Sequence, residues 1–256
     1  MSRFTLSWLE YDILWDHLGL GPFPTVLRIT GHGHTRQERD TLRAQAWRTL
    51  WDKDYGQPGD VDSALEWCLR TLARPEWEID ARLHLSAAGP RTSGLMASRG
   101  RYSVVSTLDS EALVLRTSES GHLARDAVTL LPEHPPGPSR SITIPAEDLD
   151  AAAGRAGHDA SALAGELRRR GLESGQAGDI AGVLGDVRRF GQFGVGRTSS
   201  GGTRSRAEHV ISFYDTSAAR FSFTRKRGGA HEWVTLVGAD GYLLARQIDE
   251  LRARLA

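Results

Sequence analysis

The sequence predicts an α+β fold in which a central antiparallel β-sheet is covered by two helical bundles with quasi-twofold symmetry. Three observations support this prediction. The order of helices, strands and a closing helix occurs once on each side of a proline-rich segment, PEHPPGPSRS at 132–141. The strands follow one another at hairpin spacing, which favours antiparallel pairing. Two such sets of strands pack most simply when they join in one sheet and helices cover it.

The chain length fits this architecture. With 256 residues, of which 39% are hydrophobic and 25% charged, the chain has a globular composition and enough material for a sizeable core. We expect a single domain over 1–256. Its pseudo-symmetric halves are 1–131 and 142–256, joined by the linker 132–141. Residue identity between the halves is too low to establish a repeat.

In the first half, most elements follow from spacing and end signals. Residues 4–18 mix helical and strand spacing, so their type is left open, and TVLRI at 25–29 predicts a short strand. TRQE at 35–38 is a capping box that starts a helix with Leu42, Ala46, Trp47, Leu50 and Trp51 on one face. A second helix is predicted from about Val61 to Arg74. Further predictions are strands at 77–86, 94–98, 101–107 and 112–117 and a short helix at 123–131.

The second half repeats this order. SITIP at 141–145 is strand-like, and a final helix starts at Asp240. Between them, the spacing predicts helices near 146–155, 159–170 and 177–190, then strands at 208–214, 219–225 and 231–237. DTSA and KRGG supply the turns between these strands.

Charge and cysteine content exclude several classes of function. Lys plus Arg and Asp plus Glu both number 32, so no net charge draws the protein to nucleic acid or to an anionic membrane. The N-terminal residues lack the pattern of a signal peptide, and no window has the ~18 apolar residues of a membrane span. The single Cys68 excludes an intrachain disulfide and is expected to be a buried apolar residue. We expect a cytoplasmic protein that neither binds nucleic acid nor inserts into a membrane.

GQFGVGRT at 191–198 differs by one residue from a phosphate-binding loop, because Arg197 stands where that loop has lysine. A phosphate-binding loop leaves a strand and enters a helix, so that backbone amides converge on the phosphates. Here a predicted helix precedes the segment and a strand follows it. We therefore predict a structural joint, with Gly191 as a left-handed helix cap, and no nucleotide binding.

Other catalytic or metal-binding patterns are also weak. His32 and His34 form an H-x-H pair, but zinc needs a third ligand and the sequence offers none at a fixed spacing. A G-x-S-x-G nucleophile motif is absent. Paired carboxylates such as Asp60 and Asp62 lie where helices begin, so helix capping explains them. The sequence predicts no enzyme, no catalytic residues, no metal site and no cofactor.

Several short motifs follow one another in a recognisable order. In the second half they are GQFGVGR, FYDTSAARFSF and VTLVGADGYLLARQIDEL; in the first half they are WLEYDILWDHLGLGPFPTVLRI, HTRQERDTLRAQAW and LEWCLRTLARPEWEIDARL. In these motifs and their order, nearly the whole chain resembles the EspG family of actinobacterial type VII (ESX) secretion systems. The resemblance implies a central antiparallel sheet with two helical bundles.

The resemblance also implies a function. EspG proteins are cytosolic chaperones that bind PE–PPE heterodimers at the tip of the PPE protein and keep them soluble before secretion, without metal, nucleotide or cofactor. The expected partners are therefore PE–PPE or related ESX substrate proteins, and weak homodimer formation is left open. The alternative is a small-molecule-binding or regulatory domain that reuses the same fold.

The candidate partner-binding residues are Phe190, Phe193, Arg197 and Arg101. In the family, the partner contacts the sheet and the C-terminal helical bundle, which corresponds here to 177–197 and to exposed strand residues. Phe190 and Phe193 lie beside glycines that let another backbone approach closely, so we expect exposed rings that anchor the partner. The polar segment 87–94 stands where members of the resembled family vary, and two interpretations stay open: it sets partner choice, or it is an inert mobile loop.

Overall fold

The structure is a computed structural model that describes residues 2–86, 89–119 and 121–255. These residues form two compact units. The first consists of the chain up to Arg82, with Pro90–Ala127 and Gly196–Ser205. The second consists of Leu83–Gly89, Val128–Val195 and the chain from Arg206 onward. The predicted pseudo-symmetric halves and their linker stay a prediction.

The first part of the chain alternates helices with strands. The strands are β1 (Arg3–Ser7), β2 (Gly56–Gln57), β3 (Asp60–Val61), β4 (Trp77–His84), β5 (Thr92–Arg99), β6 (Tyr102–Leu108) and β7 (Ala112–Glu119). The helices are α1 (Trp8–His17), α2 (Arg36–Asp52), α3 (Ser63–Ala73) and α4 (Leu123–Val128).

The second part shows a similar series. Its strands are β8 (Ile142–Pro145), β9 (Arg189–Thr198), β10 (Arg204–Arg206), β11 (Ile211–Asp215), β12 (Arg220–Gly228) and β13 (His231–Gly238). Its helices are α5 (Ala146–Ala156), α6 (Ala160–Arg169), α7 (Ser174–Gly185) and α8 (Gly241–Ala253).

Apart from β2 and β3, which pair only with each other, the strands form a large antiparallel sheet, and each unit packs three helices on its own strands. In the first unit the strand order is β1-β7-β6-β5-β4, next to the end of β9, with β10 beside β9. In the second unit the order is β9-β11-β12-β13-β8, next to the end of β4. Helices α1–α3 cover the core of the first unit and α5–α7 that of the second. The predicted α+β class and antiparallel sheet are confirmed.

Residues 4–18, whose type the sequence left open, contain two elements. β1 alternates buried and exposed side chains, and α1 begins directly after it. A capping box marks the boundary, since the Ser7 hydroxyl accepts from the Glu10 amide and the Glu10 carboxylate accepts from the Ser7 amide. The spacing of apolar residues is therefore mixed because β1 follows the period of a strand and α1, directly after it, follows the period of a helix.

Two predictions about secondary structure are wrong. TVLRI is not a strand, because Thr25–Leu27 form a 3₁₀ turn in which the Leu27 amide donates to the Pro24 carbonyl at 2.9 Å. Val26 and Leu27, which are adjacent in this segment, are both buried, whereas adjacent residues of a strand point to opposite faces. The helix predicted at 177–190 ends at Gly185, and Arg189 already belongs to β9.

The capping box of α2 is confirmed, since the Thr35 hydroxyl accepts from the Glu38 amide. One member of its predicted apolar face is not buried. Ala46, Trp47 and Leu50 face the core, but Trp51 is 61% exposed. Trp51 follows Leu50 by one residue, so it points about 100° away from it around the helix axis.

The outer edge of β1 is protected against pairing with another chain. The Thr5 amide donates to the Tyr55 hydroxyl at 3.1 Å, and Lys53 Nζ donates to the Thr5 carbonyl at 3.3 Å. Both groups belong to the segment that follows α2. Because the backbone groups of Thr5 already have partners, this edge offers little to a further strand.

Two acidic residues on α1 are buried and paired. Lys53 donates to Glu10 at 2.7 Å, and Arg39 makes two hydrogen bonds to Asp12. Burial alone would raise the pKa of both carboxyls. The hydrogen bonds from Lys53 to Glu10, and from Arg39 and His32 to Asp12, outweigh burial and hold both pKa values below their usual range.

We predict that Asp12→Asn lowers the free energy of unfolding at pH 7 by about 2 kcal/mol, since it removes one partner of a buried ion pair. Because the pKa of Asp12 is lower in the folded state, the stability it contributes is fully present above about pH 5 and is lost as the pH falls below about 4. Urea unfolding between pH 7 and 3 should therefore show a shallower acid loss in the variant. The control is Asp40→Asn, an exposed acid on α2; equal acid slopes in Asp12→Asn and the parent would contradict the prediction.

Candidate partner-binding surface

GQFGVGRT lies within strand β9, so it is neither a joint nor a phosphate-binding loop. The predicted left-handed cap at Gly191 is wrong, because Gly191 is a strand residue that pairs with Phe213 of β11. The strand leads through a turn into β10, and no helix follows. The segment therefore lacks the strand–loop–helix geometry that places amides around a phosphate.

Successive residues of β9 in the second unit point to opposite faces of the sheet. Phe190 lies opposite Tyr214 of β11, and its ring stacks on His84 of β4 with centroids 4.5 Å apart and an angle of 12°. Tyr214 packs against the core covered by α5–α7. The Phe190 ring remains 43% exposed. It is thus an aromatic ring that is held in place and still accessible to a partner.

The expectation that Phe193 is an exposed anchor is wrong. Its ring is fully buried and lies 6.2 Å from the ring of Phe213. Phe193 is three positions after Phe190, an odd number, so a strand turns its side chain to the other face. Residues three positions apart lie on one side of a helix, so a helix end at this point would have placed the two rings together.

The two candidate arginines lie in the first unit. The Arg197 guanidinium lies over the Trp77 ring, 5.1 Å from its centroid. Arg101 is exposed in the turn between β5 and β6. The next residue, Tyr102, is also exposed and meets Trp67 of α3 edge-on at 6.1 Å. The structure places Arg197 on an aromatic ring and Arg101 in an exposed turn, and their role in binding stays a prediction.

A further glycine of the segment, Gly196, makes room for a buried acid. Glu78 of β4 is 6% exposed and pairs with Arg204 of β10, which donates through Nε at 3.0 Å and through Nη2. A Cβ on Gly196 would lie 2.6 Å from Oε1 of Glu78. The missing side chain is therefore what allows this carboxylate to lie flat on the sheet and to be neutralised.

We predict that Gly196→Ala lowers the free energy of unfolding by about 2 kcal/mol, because the new methyl group pushes Glu78 away from Arg204. In a Glu78→Ala background, the same substitution should cost much less, since the clash is gone. Chemical denaturation of the parent, the two single variants and the double variant measures the coupling energy between positions 196 and 78. Gly201→Ala is a matched control, because its Cβ would meet nothing closer than 3.8 Å. Additive effects would contradict the proposed clash.

A buried ion-pair cluster in the second unit was not found from the sequence. Arg220 donates to Asp215 through Nε at 2.7 Å and through Nη2 at 2.9 Å, and Arg189 Nε lies 3.1 Å from the same carboxylate. Asp215 and Arg220 are cross-strand partners on either side of the turn 216–219. The sequence did contain a signal for the pair of Asp215 and Arg220, because the two residues that flank a four-residue hairpin loop face each other across the strands.

This cluster also holds the proline-rich segment. Arg220 Nη2 donates to the Pro132 carbonyl at 2.8 Å, and Arg189 Nη2 lies 3.1 Å from His134 Nδ1. His134 Nε2 contacts the Thr216 carbonyl at 3.1 Å. Backbone hydrogen bonds join Pro135 and Gly137 to Arg220. The segment 132–137 is thus fastened along the start of β12.

The remaining candidate groups have structural partners. His32 contacts Asp12 at 3.1 Å, a partner that the sequence analysis did not find. Within the described residues, no three His, Cys, Asp or Glu side chains are grouped so that they could hold a metal ion. Cys68 is buried as predicted, and burial raises the pKa of its thiol to about 12, which makes it a poor nucleophile.

Two sequence-based expectations concern other regions. Part of the segment 87–94 lies outside the described residues, and Thr92 to Gly94 belong to β5. Its role in partner choice stays a prediction. Among the residues that the structure describes, no helix combines the length and the apolar character needed to cross a membrane.

Comparison with known families agrees with the motifs and the fold. The sequence model of the EspG family matches residues 7–250. The chain belongs to the EspG family. A comparison with curated protein sequences finds no match.

This EspG protein is also similar to a solved structure. The match is to a chain in the structure of the Mycobacterium tuberculosis type VII secretion system chaperone EspG5 in complex with a PE25–PPE41 dimer. The TM-score is 0.76 at 14% sequence identity, over 95% of this chain and 93% of that chain. At this identity the likeness concerns the fold.

Proposed function

We propose that this protein is a secretion chaperone of the type VII (ESX) system that binds PE–PPE heterodimers through the PPE tip and keeps them soluble before export. The observation that carries the proposal is the EspG family match over residues 7–250. The likeness in fold to a chaperone solved with a PE–PPE dimer supports it. This task takes place before export, so we place the protein in the cytoplasm.

The proposal includes the absence of catalytic activity. Several buried ionisable groups have structural partners: Asp12 and Glu10 pair with basic residues of the first unit. Asp215 pairs with two arginines of the second unit. Groups that serve catalysis are instead tuned to exchange protons or to attack a substrate. A chaperone needs only a preformed surface that covers apolar side chains of its client.

Phe190 is the residue on which we place the partner contact. Its ring is held against His84, so little side-chain entropy is lost on binding, and its outer face is accessible. Aromatic and arginine side chains carry much of the binding energy in protein interfaces. Arg197 and Arg101 are proposed as separate, weaker contacts, and Phe193 is withdrawn from the site because it is buried.

The experiment that tests the function is co-expression with the PE–PPE pair encoded nearby in the genome. We expect a stable complex that elutes as one species in size-exclusion chromatography, and a PE–PPE pair that is less soluble when expressed alone. Formation of no complex with any ESX substrate pair of the same organism would contradict the proposal.

We predict that Phe190→Ala lowers the affinity for this pair at least tenfold, which is the effect of losing an interface hot spot of ~2 kcal/mol. The melting temperature should change little, because the ring is only half-buried. Calorimetric titration measures the affinity. Trp51→Ala, which truncates an exposed aromatic ring on α2, is the matched control and should bind like the parent. Unchanged affinity of Phe190→Ala would refute the assignment while leaving the chaperone proposal intact.

A further inference from the structure

A cleft of about 590 Å³ opens beside the buried ion-pair cluster of the second unit. Its lining is mixed, and the polar side chains are those of Arg220, His134 and Glu133. The remaining lining residues are Val128, Leu131, Pro132, Pro135 and Gly241. A cleft that combines apolar side chains with a few polar groups is the usual form of a small-molecule site.

Behind this cleft, two guanidinium groups share one buried carboxylate, and the second carboxylate at the cleft, that of Glu133, is exposed to solvent. The guanidinium groups are those of Arg220 and Arg189, and the shared carboxylate is that of Asp215, whose side chain is completely buried. His134 adds no negative charge. Because an unbalanced buried charge is costly, such a cluster favours an additional anion at its open side.

Arg220 supplies the donor for such an anion. It is 4% exposed, and its Nε and Nη2 are used by Asp215 and the Pro132 carbonyl. Among the described residues, no hydrogen bond involves its Nη1, although Arg220 lines the cleft. A largely buried guanidinium with one unused nitrogen is a fitting partner for a carboxylate oxygen.

We propose that this cleft binds a small monocarboxylate with an apolar body. The carboxylate meets Nη1 of Arg220, and the body lies on Val128 and Leu131. Glu133, which is exposed at the rim, selects against a second negative charge and so favours a carboxylate over a phosphate dianion. The site is independent of the proposed PE–PPE surface and would exist whether or not that function is correct.

The test is calorimetric titration of the full chain with octanoate, 1-octanol and octylammonium. These probes share the apolar body and differ in charge. We expect one octanoate per chain with a Kd at least tenfold lower than that of octanol, and weaker binding still of octylammonium. A second arm titrates N-acetyl-leucine, which mimics the carboxylate end of a peptide, with its amide as the uncharged control. Comparison with octanoate then distinguishes a peptide end from a free carboxylic acid as the natural source.

Two variants place the binding in this cleft. Glu133→Gln, at an exposed position, should tighten octanoate binding about threefold, because a nearby negative charge is removed. Val128→Trp should fill the space and weaken binding at least tenfold. Octanoate that binds no more tightly than octanol would overturn the proposal. So would a Kd that does not change in Glu133→Gln, which decides the matter even if Val128→Trp fails to fold.

Discussion

The carboxylate of Asp215 is the group on which much of the second unit depends. It is fully buried and holds Arg220 across the hairpin and Arg189 at the start of β9. Through these arginines it also holds Pro132 and His134, so the proline-rich segment follows β12. Removal of this one acid would leave two guanidinium groups without their counterion, which is far more costly than the loss of a surface ion pair. A single acid thus fixes a hairpin, a strand and a connecting segment.

Strand β9 has different surroundings on its two faces, and one of its glycines, Gly196, makes room for a neighbouring side chain. On one face Phe193 fills the core, and on the other Phe190 stays half-exposed on His84. Further along, Gly196 leaves room for Glu78 to lie flat and pair with Arg204. Gly196, the second glycine of the pattern that resembles a phosphate-binding loop, therefore has a packing cause. Its missing side chain lets Glu78 of the neighbouring strand lie across the sheet.

Local signals in the sequence were sufficient where the chain's own periodicity decides the structure. The capping box at Thr35 and the helix that carries the buried Cys68 were predicted correctly, because helix starts and helical periodicity depend on neighbours within one or two turns. Phe193 was misplaced, because whether residues 186–190 continue a helix or begin a strand depends on pairing with β11. The pair of Asp12 and Arg39 joins residues far apart in the sequence, so no spacing rule reveals it.

A protein that covers the apolar surface of another has to remain soluble on its own. The exposed large apolar side chains of the described residues are spread over different elements: Trp51, Tyr102, Phe190, Trp233 and Tyr242. Single exposed rings do not form the large contiguous patch that drives self-association. Phe190 is moreover stacked on His84, so only its outer face is available, and the protected edge of β1 offers few free backbone groups to another strand. Affinity for a client would then come from a few rings already held in place rather than from a broad apolar area. A chain with no net charge has no overall charge repulsion to prevent self-association, so a small exposed apolar area allows it to bind a client and still stay apart from its own copies.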